Sequence, residues 1–155
     1  MNKVLLGKYV NTHGIKGEIR IKSNFKFKDK VFKMGNTIII ENNEYEITGY
    51  RVHKDYDMVT LENILSIDAI PFPKNTPIFI EREKYLKKDE YLIRDLIGFI
   101  AYNSKFEDEI RNILYISEKK KLLECSNRLI PIELIENVDL DNKKVQIMEV
   151  DGLWK

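Results

Sequence analysis

One cysteine, two histidines and one tryptophan in 155 residues leave little material for redox, metal or nucleophilic chemistry. Cys125 has no partner for an intramolecular disulfide, and neither it nor His13 and His53 fall at the spacing of a zinc site. A reducing compartment, no structural metal and no cofactor are therefore expected. Long hydrophobic runs are absent too, since nothing approaches the ~20 apolar residues of a membrane span. The opening MNKVLLGKYV has its short apolar run broken by Lys8, with no small-residue cleavage site after it. The expectation is a cytoplasmic protein, neither exported nor inserted in a membrane. There is also no P-loop, no GxGxxG fingerprint, no internal repeat, no heptad pattern and no low-complexity tract.

What is present is a hydrophobic fraction of 43% beside 33% charged residues, the balance of a folded chain rather than a disordered one. The length allows two small domains. Each, at roughly 70 to 85 residues, would bury only about 60% of its unfolded surface and be marginal by itself. The formal net charge of +1 hides an asymmetry. Within residues 1–40, Lys3, Lys8, Lys16, Arg20, Lys22, Lys26, Lys28, Lys30 and Lys33 face only two acids, Glu18 and Asp29, so the remainder is mildly acidic. A basic front of this kind fits a polyanion partner or, equally, lysines on a solvated face.

The chain reads as mostly β. Residues 3–10 are apolar or β-prone, and after a turn at 14–17 the run Glu18-Ile19-Arg20-Ile21-Lys22 alternates with period two. Residues 37–41 and 44–48 form a hairpin around Asn42-Asn43, because asparagine tolerates the positive φ of a tight turn. Residues 51–61 supply a further strand region around the polar turn Lys54-Asp55-Tyr56-Asp57. A short helix is expected over 66–70, with Ser66 as N-cap and Pro71 and Pro73 ending it, before Ile78-Phe79-Ile80 returns to strand. The charged stretch 81–90 has little apolar periodicity and holds the domain boundary. Beyond it, 96–102, 110–116, 121–125 and 144–150 read as strands, with one helical turn starting at Pro131 and a turn at Asp141-Asn142-Lys143.

Two strings stand out chemically. In Thr12-His13-Gly14-Ile15-Lys16-Gly17-Glu18-Ile19-Arg20, two glycines bracket a turn that permits positive φ and close backbone approach. His13, Lys16 and Arg20 with exposed amides would present a surface for phosphates or a partner protein; the same glycines also suit a plain hairpin turn. No nucleophile or orienting acid is spaced to partner His13. His53 reads as a surface residue of its polar turn, and Cys125, beside Leu122 and Leu123, as a core thiol. The second string, Glu90-Tyr91-Leu92-Ile93-Arg94-Asp95-Leu96-Ile97-Gly98-Phe99, puts a large aromatic at the boundary. It suits a docking edge or packing between the two domains.

Gly7-Lys8 with the His13 to Arg20 string resembles the opening motif of the RimM ribosome maturation factors. Tyr91 with Arg94-Asp95-Leu96-Ile97-Gly98 resembles the start of a PRC barrel. Arg128-Leu129-Ile130-Pro131-Ile132, Val138-Asp139-Leu140 and Asp151-Gly152-Leu153 resemble its end. The resemblance spans nearly the whole chain. It implies two small β-barrel domains, a six-stranded N-terminal barrel over 1–84 and a PRC barrel over 91–155, joined by a linker at 85–90. It further implies a monomeric, non-enzymatic assembly factor for the head of the 30S subunit, binding ribosomal protein S-nineteen and 16S rRNA. Carried over by position, His13, Gly14, Lys16, Gly17, Arg20 and Lys22 would meet rRNA, while Tyr91, Leu92, Arg94 and Asp95 would meet the ribosomal protein. Three departures are visible. Leu92 and Ile93 replace a usual tyrosine and tryptophan, Arg94 stands where histidine is common, and Glu118-Lys119-Lys120-Lys121 replaces a Gly-Ala-Asn-Asp turn, adding positive charge. A free-standing RNA-binding barrel without a protein partner is the alternative, and an enzyme centred on His13 is the third reading.

Overall fold

A computed structural model describes residues 2–14, 16–117 and 119–150. The chain divides into two compact units, Met1–Lys87 and Lys88–Lys155. Among the described residues, no helix is long and apolar enough to cross a membrane.

The first unit is a closed barrel of β1 (Lys3–His13), β2 (Glu18–Lys22), β3 (Thr37–Ile40), β4 (Asn43–His53), β5 (Tyr56–Leu61) and β6 (Pro77–Glu81). Their order is β1-β2-β5-β4-β3-β6, with β6 returning to β1 and every pairing antiparallel. Side-chain alternation sorts the residues between interior and surface. Leu6, Tyr9, Ile19, Ile21, Ile38, Ile40, Ile47, Val59, Leu61, Ile78 and Ile80 fill the interior. Phe72 adds an aromatic plug, meeting Tyr9 and Tyr45 edge-on with ring centroids 5.1 and 5.9 Å away. A one-turn helix α1 (Lys28–Val31) adds the buried Val31 to the same core.

β1 is shared by two neighbours and is bulged against both, between Leu5 and Gly7 toward β6 and between Tyr9 and Asn11 toward β2. Gly7 is required there, because a Cβ at that position would lie 2.3 Å from the Lys22 carbonyl oxygen. Next to it, the buried Ser23 hydroxyl donates to the Leu6 carbonyl at 2.6 Å.

Several elements differ from the sequence reading. The β3–β4 turn falls on Glu41 and Asn42, both with positive φ, and Asn43 already pairs with Ile40. A turn one residue later would set Glu41 opposite Glu44, a like-charge pair that costs stability. β1 runs on to His13 rather than ending at Val10. Asp57 is a strand residue only 2% exposed, not part of a polar turn. Its carboxylate accepts from the Tyr50 hydroxyl at 2.6 Å and from Lys28 Nζ at 3.1 Å, so the buried charge is paired. Burial and Asp57 together push the Tyr50 phenol well above its ordinary range. Ile67–Ala69 is a 3-10 turn in which the Ser66 side chain makes no capping bond. The charged stretch after β6 forms a one-turn helix α2 (Arg82–Tyr85), whose Tyr85 packs on the barrel core and exchanges hydrogen bonds with the Thr37 backbone.

The second unit is a six-stranded sheet of β7 (Ile100–Tyr102), β8 (Glu107–Tyr115), β9 (Lys121–Cys125), β10 (Leu129–Pro131), β11 (Ile135–Asp139) and β12 (Lys144–Ile147), ordered β10-β9-β8-β7-β12-β11. Its two end strands, β10 and β11, are consecutive in the chain and joined by the 3-10 turn Ile132–Leu134, so the sheet curls round until its ends are covalently linked. Leu96, Phe99, Ala101, Phe106, Ile110, Ile113, Leu123, Cys125, Ile130, Val145 and Ile147 fill the space inside. The sequence reading missed β10 and β11 because neither shows a clear alternating run. It also began β7 at Leu96, which instead closes the 3-10 turn Ile93–Leu96, and carried β12 past Ile147. Asp151-Gly152-Leu153 lies outside the described residues, as do Ile15 and Glu118.

Two measurements test this packing. Gly7→Ala is expected to lower unfolding free energy in urea by about 3 kcal/mol, since the Lys22–Ser23 backbone must move to admit one methyl group. A loss under about 1 kcal/mol would show that β1 is not held as described. Cys125 is buried, and desolvation, with the Asp108 charge adding, pushes its thiol up to about 12. At about pH 8 the buried thiol stays protonated and shielded, so alkylation should proceed only as fast as the rear unit opens.

Candidate nucleic-acid interface

The alternation that buries Ile19 and Ile21 sends Glu18, Arg20 and Lys22 to the outer face of the barrel. β1 places His13 opposite Glu18, Asn11 opposite Arg20 and Lys8 opposite Lys22. On the other side Arg20 faces Met58 of β5, which faces Arg51 of β4, and Tyr56 faces His53. Met58 lies outside the barrel core yet is fully buried, because the outer-face side chains beside it shield it from water.

These side chains contact one another. Arg20 Nη2 donates to His13 Nδ1 at 3.0 Å. A guanidinium has donors only, so His13 Nδ1 is the acceptor and the ring proton sits on Nε2. The same guanidinium lies 5.5 Å from the Tyr56 ring centre, and Lys22 Nζ lies 5.9 Å from it. Arg51 grips both Glu18 oxygens, Nε at 2.9 Å and Nη2 at 2.7 Å. This bidentate hydrogen bond holds the Glu18 carboxyl below its usual range, with the Arg51, His13 and His53 charges adding to it. The His53 ring stands 5.4 Å from that of His13. Desolvation, then the charges of Arg51, His13, Lys54 and Arg20, push His53 below the ordinary histidine value.

The β1–β2 turn closes one side of the patch. Gly14 and Gly17 have φ of +72° and +82°. Gly17 is buried, and a Cβ there would meet the Ile64 carbonyl oxygen at 3.0 Å and the Ser66 nitrogen at 3.1 Å, so only glycine lets the turn rest on that loop. Lys16 is exposed beside it. His13, Gly14, Lys16, Glu18 and Thr60 line a surface depression of about 310 Å³. The turn glycines thus serve geometry, while His13, Arg20 and Lys22 join one basic, aromatic-bearing face.

Of the rear candidates, Tyr91 is half-buried and packs on the core of its own unit. The Leu92 N–H donates to Asp95 Oδ2 at 2.7 Å, and the Asp95 N–H donates back to the Leu92 carbonyl at 2.8 Å. Asp95 therefore fixes the 3-10 turn, on which Arg94 stands exposed.

Sequence reasoning missed Arg51, His53 and Tyr56. A period-two signal did exist, since Arg51 and His53 alternate with Val52. Their placement beside Arg20 and His13 nonetheless depends on β5 pairing with both β2 and β4. Among the described residues, no His, Cys, Asp and Glu group is arranged to hold a metal ion.

The family model described as the RimM N-terminal domain matches residues 4–85. The chain is 36% identical over 165 residues to the ribosome maturation factor RimM of Staphylococcus aureus strain MRSA252, covering 97% of this chain and 98% of that protein. The protein of the same description from strain JH9 is 35% identical with the same coverage. Among solved structures, a 16S ribosomal RNA processing protein RimM from Pseudomonas aeruginosa aligns with a TM-score of 0.46 and 18% identity over 96% of this chain and 98% of its own. The N-terminal domain of RimM from Thermus thermophilus aligns with a TM-score of 0.44 and 14% identity, over 54% of this chain and 93% of its own. The chain belongs to the RimM family of ribosome maturation factors.

Proposed function

We propose that the protein acts in the cytoplasm as a non-enzymatic assembly factor for the head of the small ribosomal subunit, holding 16S rRNA with its front barrel and ribosomal protein S-nineteen with its rear unit. Family membership supports the ribosomal setting. The observation that carries the RNA contact is the convergence of Arg20, Lys22, His13 and His53 round Tyr56 on one outer face. Cations meet phosphates there, and an aromatic and guanidinium surface suits exposed bases. His13, Lys16, Arg20 and Lys22 form the rRNA-facing set, with Gly14 and Gly17 shaping the turn that presents Lys16.

On the rear unit, Tyr91, Leu92, Arg94 and Asp95 form the protein-facing set. Asp95 positions the turn, while Arg94 and the outer edge of Tyr91 make contact. No bond is made or broken; the factor stabilises one conformation of the assembling head through binding energy.

Two measurements test this reading. In sucrose gradients of a lysate the protein should travel with free small subunits rather than with 70S ribosomes or at the top. Arg94→Glu and Tyr91→Ala, each checked for native folding, should shift it toward the top. Residence at the top for wild type would favour a free-standing RNA-binding barrel. If Lys8, Lys16, Arg20 and Lys22 each neutralise one phosphate, affinity for immature small-subunit particles should fall about 100-fold between roughly 50 and 200 mM salt. Unchanged affinity across that range would remove the RNA half of the assignment.

A further inference from the structure

The chain has two histidines, and the fold brings them together. His13 ends β1 and His53 ends β4, strands separated in the sheet by β2 and β5, yet their rings are 5.4 Å apart. We propose that the His13–His53 pair is a phosphate-binding site for the RNA backbone, and that docking of a phosphodiester there is accompanied by uptake of a proton on His53. This deepens the RNA reading above and rests on it.

The charges around the pair set the chemistry. Arg51 and Lys54 face His53 from its own hairpin, His13 from β1 and Arg20 from β2. Glu18 also lies in reach of both rings, and Arg51 bonds each of its oxygens. Arg20 occupies His13 Nδ1, which leaves Nε2–H as the outward donor of that ring. The two rings therefore sit in a positive cage, where a pair of imidazolium ions at this separation would repel each other and the neighbouring cations.

A phosphodiester reverses that balance. It carries a permanent negative charge, accepts several hydrogen bonds and offsets the repulsion, so the His53 ring can take a proton and donate from both nitrogens while His13 donates from Nε2. The depression lined by His13, Gly14, Lys16, Glu18 and Thr60 gives the phosphate room beside the His13 ring, with the Glu18 carboxylate in that lining held by Arg51. A polynucleotide fits better than an isolated anion because the cations continue past one phosphate to Lys22, with Tyr56 between. Binding favours protonated His53, so by linkage affinity rises as pH falls from the value of the bound state toward that of the free state.

The test uses the full-length protein, fluorescently labelled, titrated with immature small-subunit particles at about pH 6 and about pH 8 in constant salt, beside His53→Gln and His13→Gln. Wild-type affinity is expected to rise about threefold to tenfold on acidification, with that slope lost in His53→Gln and reduced in His13→Gln. Calorimetry in two buffers of different ionisation heat should register proton uptake by wild type that His53→Gln lacks. An equal pH slope in all three proteins, with salt-sensitive binding intact, overturns the proton-coupled site and leaves the RNA reading standing. Absence of salt-sensitive binding at either pH overturns both.

Discussion

Closure of the front barrel depends on one strand meeting two neighbours at once, and at Gly7 that strand has no space for a side chain. The Lys22 carbonyl stands where a Cβ would be. β1 accommodates its double pairing with two bulges, one toward each neighbour, and every other barrel strand takes its register from a closed circuit that includes it. A small barrel has no free edge to relax along, so a misfit at one strand is transmitted round the ring.

The outer face follows from the same circuit. An interior filled with isoleucine and leucine leaves alternate positions of β1, β2, β4 and β5 to polar residues, and closure curves them into one neighbourhood. Arg51 is bound to Glu18, and Arg20 leans on His13 and Tyr56. Buried Met58 lies beneath, so the long side chains are held by apolar contact as well as by charge. Such held cations lose less freedom on meeting a phosphate than unrestrained lysines would.

The rear unit solves closure differently. Its sheet joins end to end through the short turn between β10 and β11 rather than through a further ladder of hydrogen bonds. Asp108, nearly buried, receives the Asn127 N–H at 2.9 Å and Arg128 Nε at 3.1 Å, and Arg128 also covers the Phe106 ring. Asp95 performs a comparable service for the turn that carries Tyr91 and Arg94. Acids that look like surface charges in sequence thus serve as local clamps.

The sequence alone determined the β class, the alternation of β2, the glycine-bracketed turn after His13 and the family motif, since each is written in residues close together along the chain. Short or weakly alternating strands such as β10 and β11 were not legible, because their stability comes from partners far away in sequence. Asp57 could not be distinguished from a turn residue until Tyr50 and Lys28 were seen to satisfy its charge. Only the tertiary structure brought His53 and Arg51 to His13 and Arg20, because strand order is fixed by the packing of the whole barrel, and no local pattern records which strands will become neighbours.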